Sequence, residues 1–278
     1  MTSCRASSRA RSAALLGLSV AGAGCSWLFS LDGNLGPLAD ASAEAGAPDS
    51  PPLDAPMTAD AGRDALLTWC DLEAGPGHTF CDDFDKGLDP TLAHGSVSLD
   101  SDAAVSPPNS LLAVNTGSGG GPSISRTFPF AVTDAPQRVV RLHTSMRLDG
   151  LSLAAEPHLL QIDLDGSSSY SVFLFIWDNQ GQAVPFLVLY PDSTGSFQRG
   201  LTTSGVTFNG WYDVDLTVDL AGNVAVATIA NVGQATIKLD PLASFLPARA
   251  GFEVGVPYMT SNAGAVTSRF DNLVFDVR

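Results

Sequence analysis

The sequence predicts an all-β fold, an antiparallel jelly-roll sandwich of two sheets placed after a leader and an unstructured tether. Three observations predict it. From Val139 onward apolar and polar residues alternate with a period of two, Gly/Asn/Asp turn signals interrupt the runs, and no long segment combines helical periodicity with caps.

The elements follow in chain order. Arg5, Arg9 and Arg11 precede the apolar run AALLGLSVAGA (Ala13–Ala23), a charged region followed by a short hydrophobic one. That is a secretory signal over residues 1–24, too short to cross a bilayer as a mature helix. Small residues and then Cys25 resemble the lipobox of bacterial lipoproteins, in which that cysteine is lipidated. Gly22 departs from the pattern, which has Leu there. Ordinary cleavage near Ala23 or Gly24 is the alternative. The resemblance implies an outer-membrane or cell-surface lipoprotein, and Ser26 supplies no Asp-type inner-membrane retention signal. Ordinary cleavage implies a periplasmic or secreted protein.

Residues 25–66 hold this cysteine and a stretch rich in Ala, Pro, Asp, Gly and Ser, including ADASAEAGAPDSPPLDAP. With so few aromatic or β-branched residues it buries too little to offset its ordering entropy, and it reads as a disordered tether. Residues 67–278 are long enough for one β domain. The chain carries 14 basic and 29 acidic residues, a formal charge of −15. Removing the leader arginines takes it to about −18, a field that repels phosphate backbones and anionic lipid. Nucleic-acid binding is therefore excluded, and the expected membrane contact is the lipid anchor only. Cys70 and Cys81 form an isolated pair around the turn residues Gly75, Pro76 and Gly77, as expected of a disulfide in an oxidising compartment. Zinc would need more ligands than this pair and His78 supply.

Within the domain, VVRLHTSMRL places Val140, Leu142, Thr144, Met146 and Leu148 on one face and Arg141, His143, Ser145 and Arg147 on the other. HLLQIDLDG points Leu160, Ile162 and Leu164 inward and Gln161, Asp163 and Asp165 outward. WYDVDLTVDL does the same with Tyr212, Val214, Leu216, Val218 and Leu220 against Asp213, Asp215, Thr217 and Asp219. Ala221-Gly222-Asn223 then turns the chain into a strand carrying Val224, Val226 and Thr228. DNLVFDVR closes the domain with Leu273, Phe275 and Val277 on one face. SVFLFIW (171–177) and PFLVLY (185–190) are apolar on both faces and read as a central hairpin whose second face is not freely solvated.

The order of FCDDFD (80–85), WYDVDLTVDLAGNVAVATI (211–229) and RFDNLVFDVR (269–278) resembles the concanavalin A-like, laminin G-type jelly rolls. That superfamily includes lectins, carbohydrate-binding and adhesion modules, glucanases and lyases, so the fold does not choose among them. Its glucanases use Glu-x-Asp-x-Glu, and the nearest match is Gln161-Ile162-Asp163-Leu164-Asp165. Gln161 cannot act as a nucleophile, and Asp165 is one methylene shorter than the expected acid. The Asp213/Asp215/Asp219 row and the His143/Arg141/Arg147 row (a lyase-like set) read equally well as solvated strand faces. No nucleophile elbow or phosphate loop is present, and Gly117–Gly121 reads as a loop.

The resemblance also implies a structural calcium between the opening and closing strands, where Asp82, Asp83, Asp85 and Asp271 stand. For ligand binding, Phe173, Phe175 and Trp177 form an aromatic row that would stack on sugar rings beside Gln161, Asp163 and Asp165, with Phe186 and Tyr190 on the next strand. Alternatively these rings fill the core while Val172, Leu174 and Ile176 face out. The reading that follows is an exported, lipid-anchored, non-catalytic sandwich binding polysaccharide or another cell-surface component. The alternatives are a glycosidase or lyase of the same fold, or a structural envelope protein.

Overall fold

A computed structural model of the chain describes residues 68–278 apart from 73–76, 118, 131–137, 153–155, 180–181, 192–197, 202–204, 243–244 and 260–263. The leader, Cys25 and the tether lie outside the described residues.

After one helical turn, α1 (Trp69–Leu72), the described chain is built from strands. In order they are β1 (Phe80–Asp82), β2 (Ala93–His94), β3 (Val97–Asp100), β4 (Ser110–Asn115), β5 (Gly119–Gly120), β6 (Ser123–Pro129), β7 (Val139–Leu151) and β8 (Pro157–Asp165). There follow β9 (Ser169–Asn179), β10 (Gln182–Pro191), β11 (Gln198–Leu201), β12 (Trp211–Asp219), β13 (Val224–Ile229), β14 (Gly233–Lys238), β15 (Arg249–Met259) and β16 (Val266–Val277). They form two antiparallel sheets. The first runs β14-β13-β12-β7-β16-β4-β3 with β1 added on β16, and the second runs β11-β10-β9-β8-β15-β6-β2 with β5 added on β15.

The two-residue period dictates the packing. Alternate side chains leave opposite faces of a strand, so Leu142 and Met146 of β7, Leu216 and Val218 of β12, and Phe270 and Phe275 of β16 line the inner face of the first sheet. Ile162 and Leu164 of β8, Leu174 of β9 and Phe252 of β15 meet them from the second sheet, all in one buried cluster. Each large side chain removed from water in this way contributes about 1.5–3 kcal/mol.

On β13 the buried residues are Ala225, Ala227 and Ile229, whereas Val224 and Val226 are only half-buried and Thr228 is exposed. The register decides this. Ala225 lies opposite Val218, Ala227 opposite Leu216 and Ile229 opposite Val214, and cross-strand partners share a face. Alanine suits the interior here because its neighbours are large.

Cys70 and Cys81 are disulfide-bonded, as expected. Closing a loop of this length contributes about 2.5–3 kcal/mol on the chain-entropy account. The same segment is tied to the last strand. Asp276 sits 3.0 Å from His78 Nδ1, and the Val277 amide donates to Thr79 Oγ1.

Candidate ligand groove

Strands β9 and β10 are apolar on both faces because they serve two clusters. Val172, Leu174 and Ile176, with Ala183, Leu187 and Leu189, belong to the sandwich core. Phe173 and Phe175, with Val184, Phe186 and Val188, form a separate cluster on the outer face of the second sheet. The rings therefore point away from the core, and the core-filling alternative is overturned. Asn179 pairs with Gln182, so the expected hairpin forms and its register sets Phe175 beside Phe186, with the rings stacked at 5.2 Å.

This outer face carries a groove of about 550 Å³. Its floor is Phe173 and Phe175 of β9 with His158 and Gln161 of β8. Val188 and Tyr190 of β10 stand on one side, and Glu253 and Tyr258 of β15 on the other. Phe173 and Phe175 are only 8% and 6% exposed, whereas Tyr190 and Tyr258 at the rim are 42% and 45% exposed. Trp177, the third ring of the predicted row, lies beyond the groove, 43% exposed and packed 5.6 Å from Phe186.

Two irregularities shape this site. On β8, His158 pairs with Phe175 and Leu160 with Leu174, so one extra residue is inserted and Leu159 and Leu160 both enter the core. Without that bulge, His158 and Gln161, three residues apart, would leave opposite faces; with it they share the groove. On β15 the register slips between Val254 and Tyr258. Gly255 there has φ +141°, in the region that only glycine adopts without strain. The slip keeps Val254, Val256 and Met259 in the core while Tyr258 faces the groove.

Of the predicted polar residues, Gln161 lines the groove and donates through Nε2 to Asp163 Oδ1 at 2.8 Å. Ser171 Oγ donates to the same oxygen at 2.6 Å. Burial pushes the Asp163 carboxyl above its usual range against these hydrogen bonds. Asp165 is further along β8, opposite Arg249, and does not line the groove. Sequence reasoning missed His158, Glu253 and Tyr258. The Leu159-Leu160 doublet that breaks the alternation was the available signal for the first. Glu253 lies directly across from Gln161 and its Oε1 accepts from Ser123 Oγ at 2.6 Å.

The other predicted rows are on the opposite sheet. Asp215 accepts from Arg141 Nε and lies 3.1 Å from His143 Nδ1. Burial pushes its carboxyl up, but these bonds more than offset that and hold it at about 2. Arg147 pairs with Asp149, and Asp213 accepts from Ser145 Oγ. These groups lie on the first sheet, and none of them lines the groove.

The candidate calcium ligands are engaged with backbone donors. Asp83 accepts from the Cys70 amide at 2.9 Å and Asp85 from the Asn109 amide at 3.4 Å. Asp271, fully buried, accepts from the Val105, Ser106 and Asn272 amides. Burial raises Asp82 and Asp271 to about 6. Among the described residues no group of three or more His, Cys, Asp or Glu side chains is arranged to hold a metal ion.

No model of a known protein family matches the chain, and no curated sequence does. Solved structures are similar to it. The cellulose induced protein Cip1 is 18% identical over 70% of this chain and 96% of its own, with a TM-score of 0.46. The CBM2 module of the evolved Dit of Lactobacillus casei BL23 phage J-1 is 17% identical over 72% and 95%, with a TM-score of 0.46. The GH16 protein of a Bacteroides ovatus mixed linkage glucan PUL is 13% identical over 70% and 99%, with a TM-score of 0.47. The two antiparallel sheets form the β-sandwich that the sequence predicts.

Proposed function

We propose that this is an exported protein, lipidated at Cys25, whose sandwich domain binds polysaccharide in the groove without cleaving it. The observation that carries the reading is the aromatic lining of an outer sheet face. Phe173 and Phe175 are laid into the floor while Tyr190 and Tyr258 stand half-exposed at the rim. Sugar C–H faces stack on such rings, and polar neighbours such as Gln161 and Glu253 offer hydrogen bonds to hydroxyls. This cluster is separate from the sandwich core, so packing of the two sheets against each other does not account for it. The absence of cleavage rests on Gln161, whose amide stands where the glucanase pattern requires a nucleophilic carboxylate, and on Asp163, already bonded to Gln161 and Ser171.

A glycosidase is the second reading, favoured by Glu253, which brings a carboxylate across from Gln161. Affinity electrophoresis through gels holding soluble polysaccharides, with reducing-end release assayed on the same panel, separates the two. Retardation without product is expected, and product release would overturn the non-catalytic part. Tyr190→Ala with Tyr258→Ala should weaken retardation by about ten-fold or more, because exposed aromatic anchors dominate such contacts. Phe208→Ala, an exposed ring outside the groove, should not. For the anchor, labelled palmitate should enter the wild-type protein and not Cys25→Ser; equal labelling of both would overturn the anchor.

A further inference from the structure

The glycine run Gly117–Gly121, which the sequence presents as a loop, borders a second cavity of about 550 Å³. His94, Ser96, Thr116 and the backbone of Gly120 and Gly121 line it. The two glycines answer different needs. An added Cβ at Gly121 would stand 2.0 Å from Asn115 Nδ2 and 2.5 Å from the Val256 carbonyl oxygen, so the chain can pass here only without a side chain. At Gly120 an added Cβ meets only the Pro257 carbonyl oxygen, at 3.9 Å. Packing does not demand glycine there. Bare backbone facing open space suits close approach of a ligand.

This cavity adjoins the groove, because Glu253 and Pro257 of β15 belong to both linings. The register gives the path between them. Phe173 lies opposite Gln161, Gln161 opposite Glu253 and Glu253 opposite Ser125, and cross-strand partners share a face. His94 of β2 extends the row, its Nε2 2.8 Å from Ser125 Oγ. With strands about 4.8 Å apart, the path from β9 to β2 covers about 19 Å, longer than one sugar ring. Glu253 stands at the crossing point and is held there. Ser123, fully buried, donates to its Oε1 at 2.6 Å, and a carboxylate keeps further lone pairs for a ligand hydroxyl.

We infer, on the reading that the groove binds polysaccharide, that the second cavity is a further subsite for the same chain, filled only by fragments long enough to cross β15. The aromatic groove holds sugar rings by stacking. The second cavity, lined by hydroxyl, imidazole and backbone groups, holds the residues that follow by hydrogen bonds. Glu253 serves both sides. Once the groove is occupied, the second contact is made within the complex, so its free energy adds without a second cost of association. The ligand is therefore a run of several linked sugars, and affinity grows with length until both cavities are filled.

The test titrates wild type and Gly120→Leu with sized fragments of mixed-linkage glucan and of alginate, from disaccharide to octasaccharide. Gly120→Leu fills the cavity from a position whose Cβ has room. Thr116→Leu, at an exposed lining residue, is a second filling variant if the first does not fold, and a thermal melt of each shows which do. For the glycan that wild type binds, affinity should rise from disaccharide to octasaccharide. The filled variant should lose about ten-fold on the longest fragments and nothing on the shortest. Tyr190→Ala with Tyr258→Ala should weaken both lengths. Wild-type affinity independent of length, a folded filled variant that binds octasaccharide normally, or equal losses at every length would overturn the inference while leaving binding in the groove intact. If neither the fragments nor their parent polysaccharides bind wild type, the polysaccharide reading falls and the second subsite with it.

Discussion

Gly255→Ala is expected to destabilise the domain by about 2–6 kcal/mol and to disorganise the groove with it. Two costs add. Holding a non-glycine residue at φ +141° costs about 1–3 kcal/mol in backbone strain. An added Cβ would also stand 2.5 Å from the Pro122 carbonyl oxygen and 2.7 Å from Ser123 Cα, both backbone atoms of the neighbouring segment. Neither atom can swing aside as a flexible side chain would, and overpacking of this kind costs a further 1–3 kcal/mol or so. The register slip around Gly255 is also what turns Tyr258 into the groove, so polysaccharide binding should fall together with stability. Urea unfolding measures the first effect and affinity electrophoresis the second. Gly150→Ala, where an added Cβ meets nothing within 4 Å, serves as the control and should stay within about 1 kcal/mol of wild type. Equal midpoints for Gly255→Ala and wild type would refute the bulge geometry.

Phe252→Ala should cost about 3–5 kcal/mol, the range for emptying a fully buried aromatic site. Its ring is at the centre of the sandwich, 5.1 Å from Phe80, 5.3 Å from Phe275 and 6.4 Å from Phe128. The two sheets meet through these rings, and neither can close over a vacancy without moving a strand. Phe173→Ala makes the opposing case. It removes a ring of similar size from the outer cluster, so it should be the less costly to the sandwich core and the more damaging to ligand binding. Denaturant midpoints and binding isotherms on the two variants would show whether the faces of the second sheet divide stability from function. A Phe252→Ala protein as stable as wild type, or a Phe173→Ala protein that binds normally, would contradict that division.

Much of the site follows from local pattern, and the point where the pattern stopped is instructive. Gln161, Asp163 and Asp165 were placed outward by alternation with Ile162 and Leu164, and they do face outward on β8. Alternation could not say which way Phe173 points, because Val172, Leu174 and Ile176 on the other side of β9 are as apolar as the rings. With both faces greasy, the direction is set by which face meets the first sheet, a contact between residues far apart in the chain. The same holds on β13, where Val224 and Val226 are the larger residues but Ala225 and Ala227 are buried.

Taken by itself, the sequence determined the all-β class, the Cys70–Cys81 bond and the faces of strands that alternate strictly, since each of these depends on neighbours within a few residues or on a single pair of thiols. Tertiary structure alone decided that the aromatic row looks outward and that Asp165 stands off the groove. It also brought His158, Glu253 and Tyr258 together. Bulges on β8 and β15 did this, and the parity shift each one introduces exists only relative to the strand it pairs with.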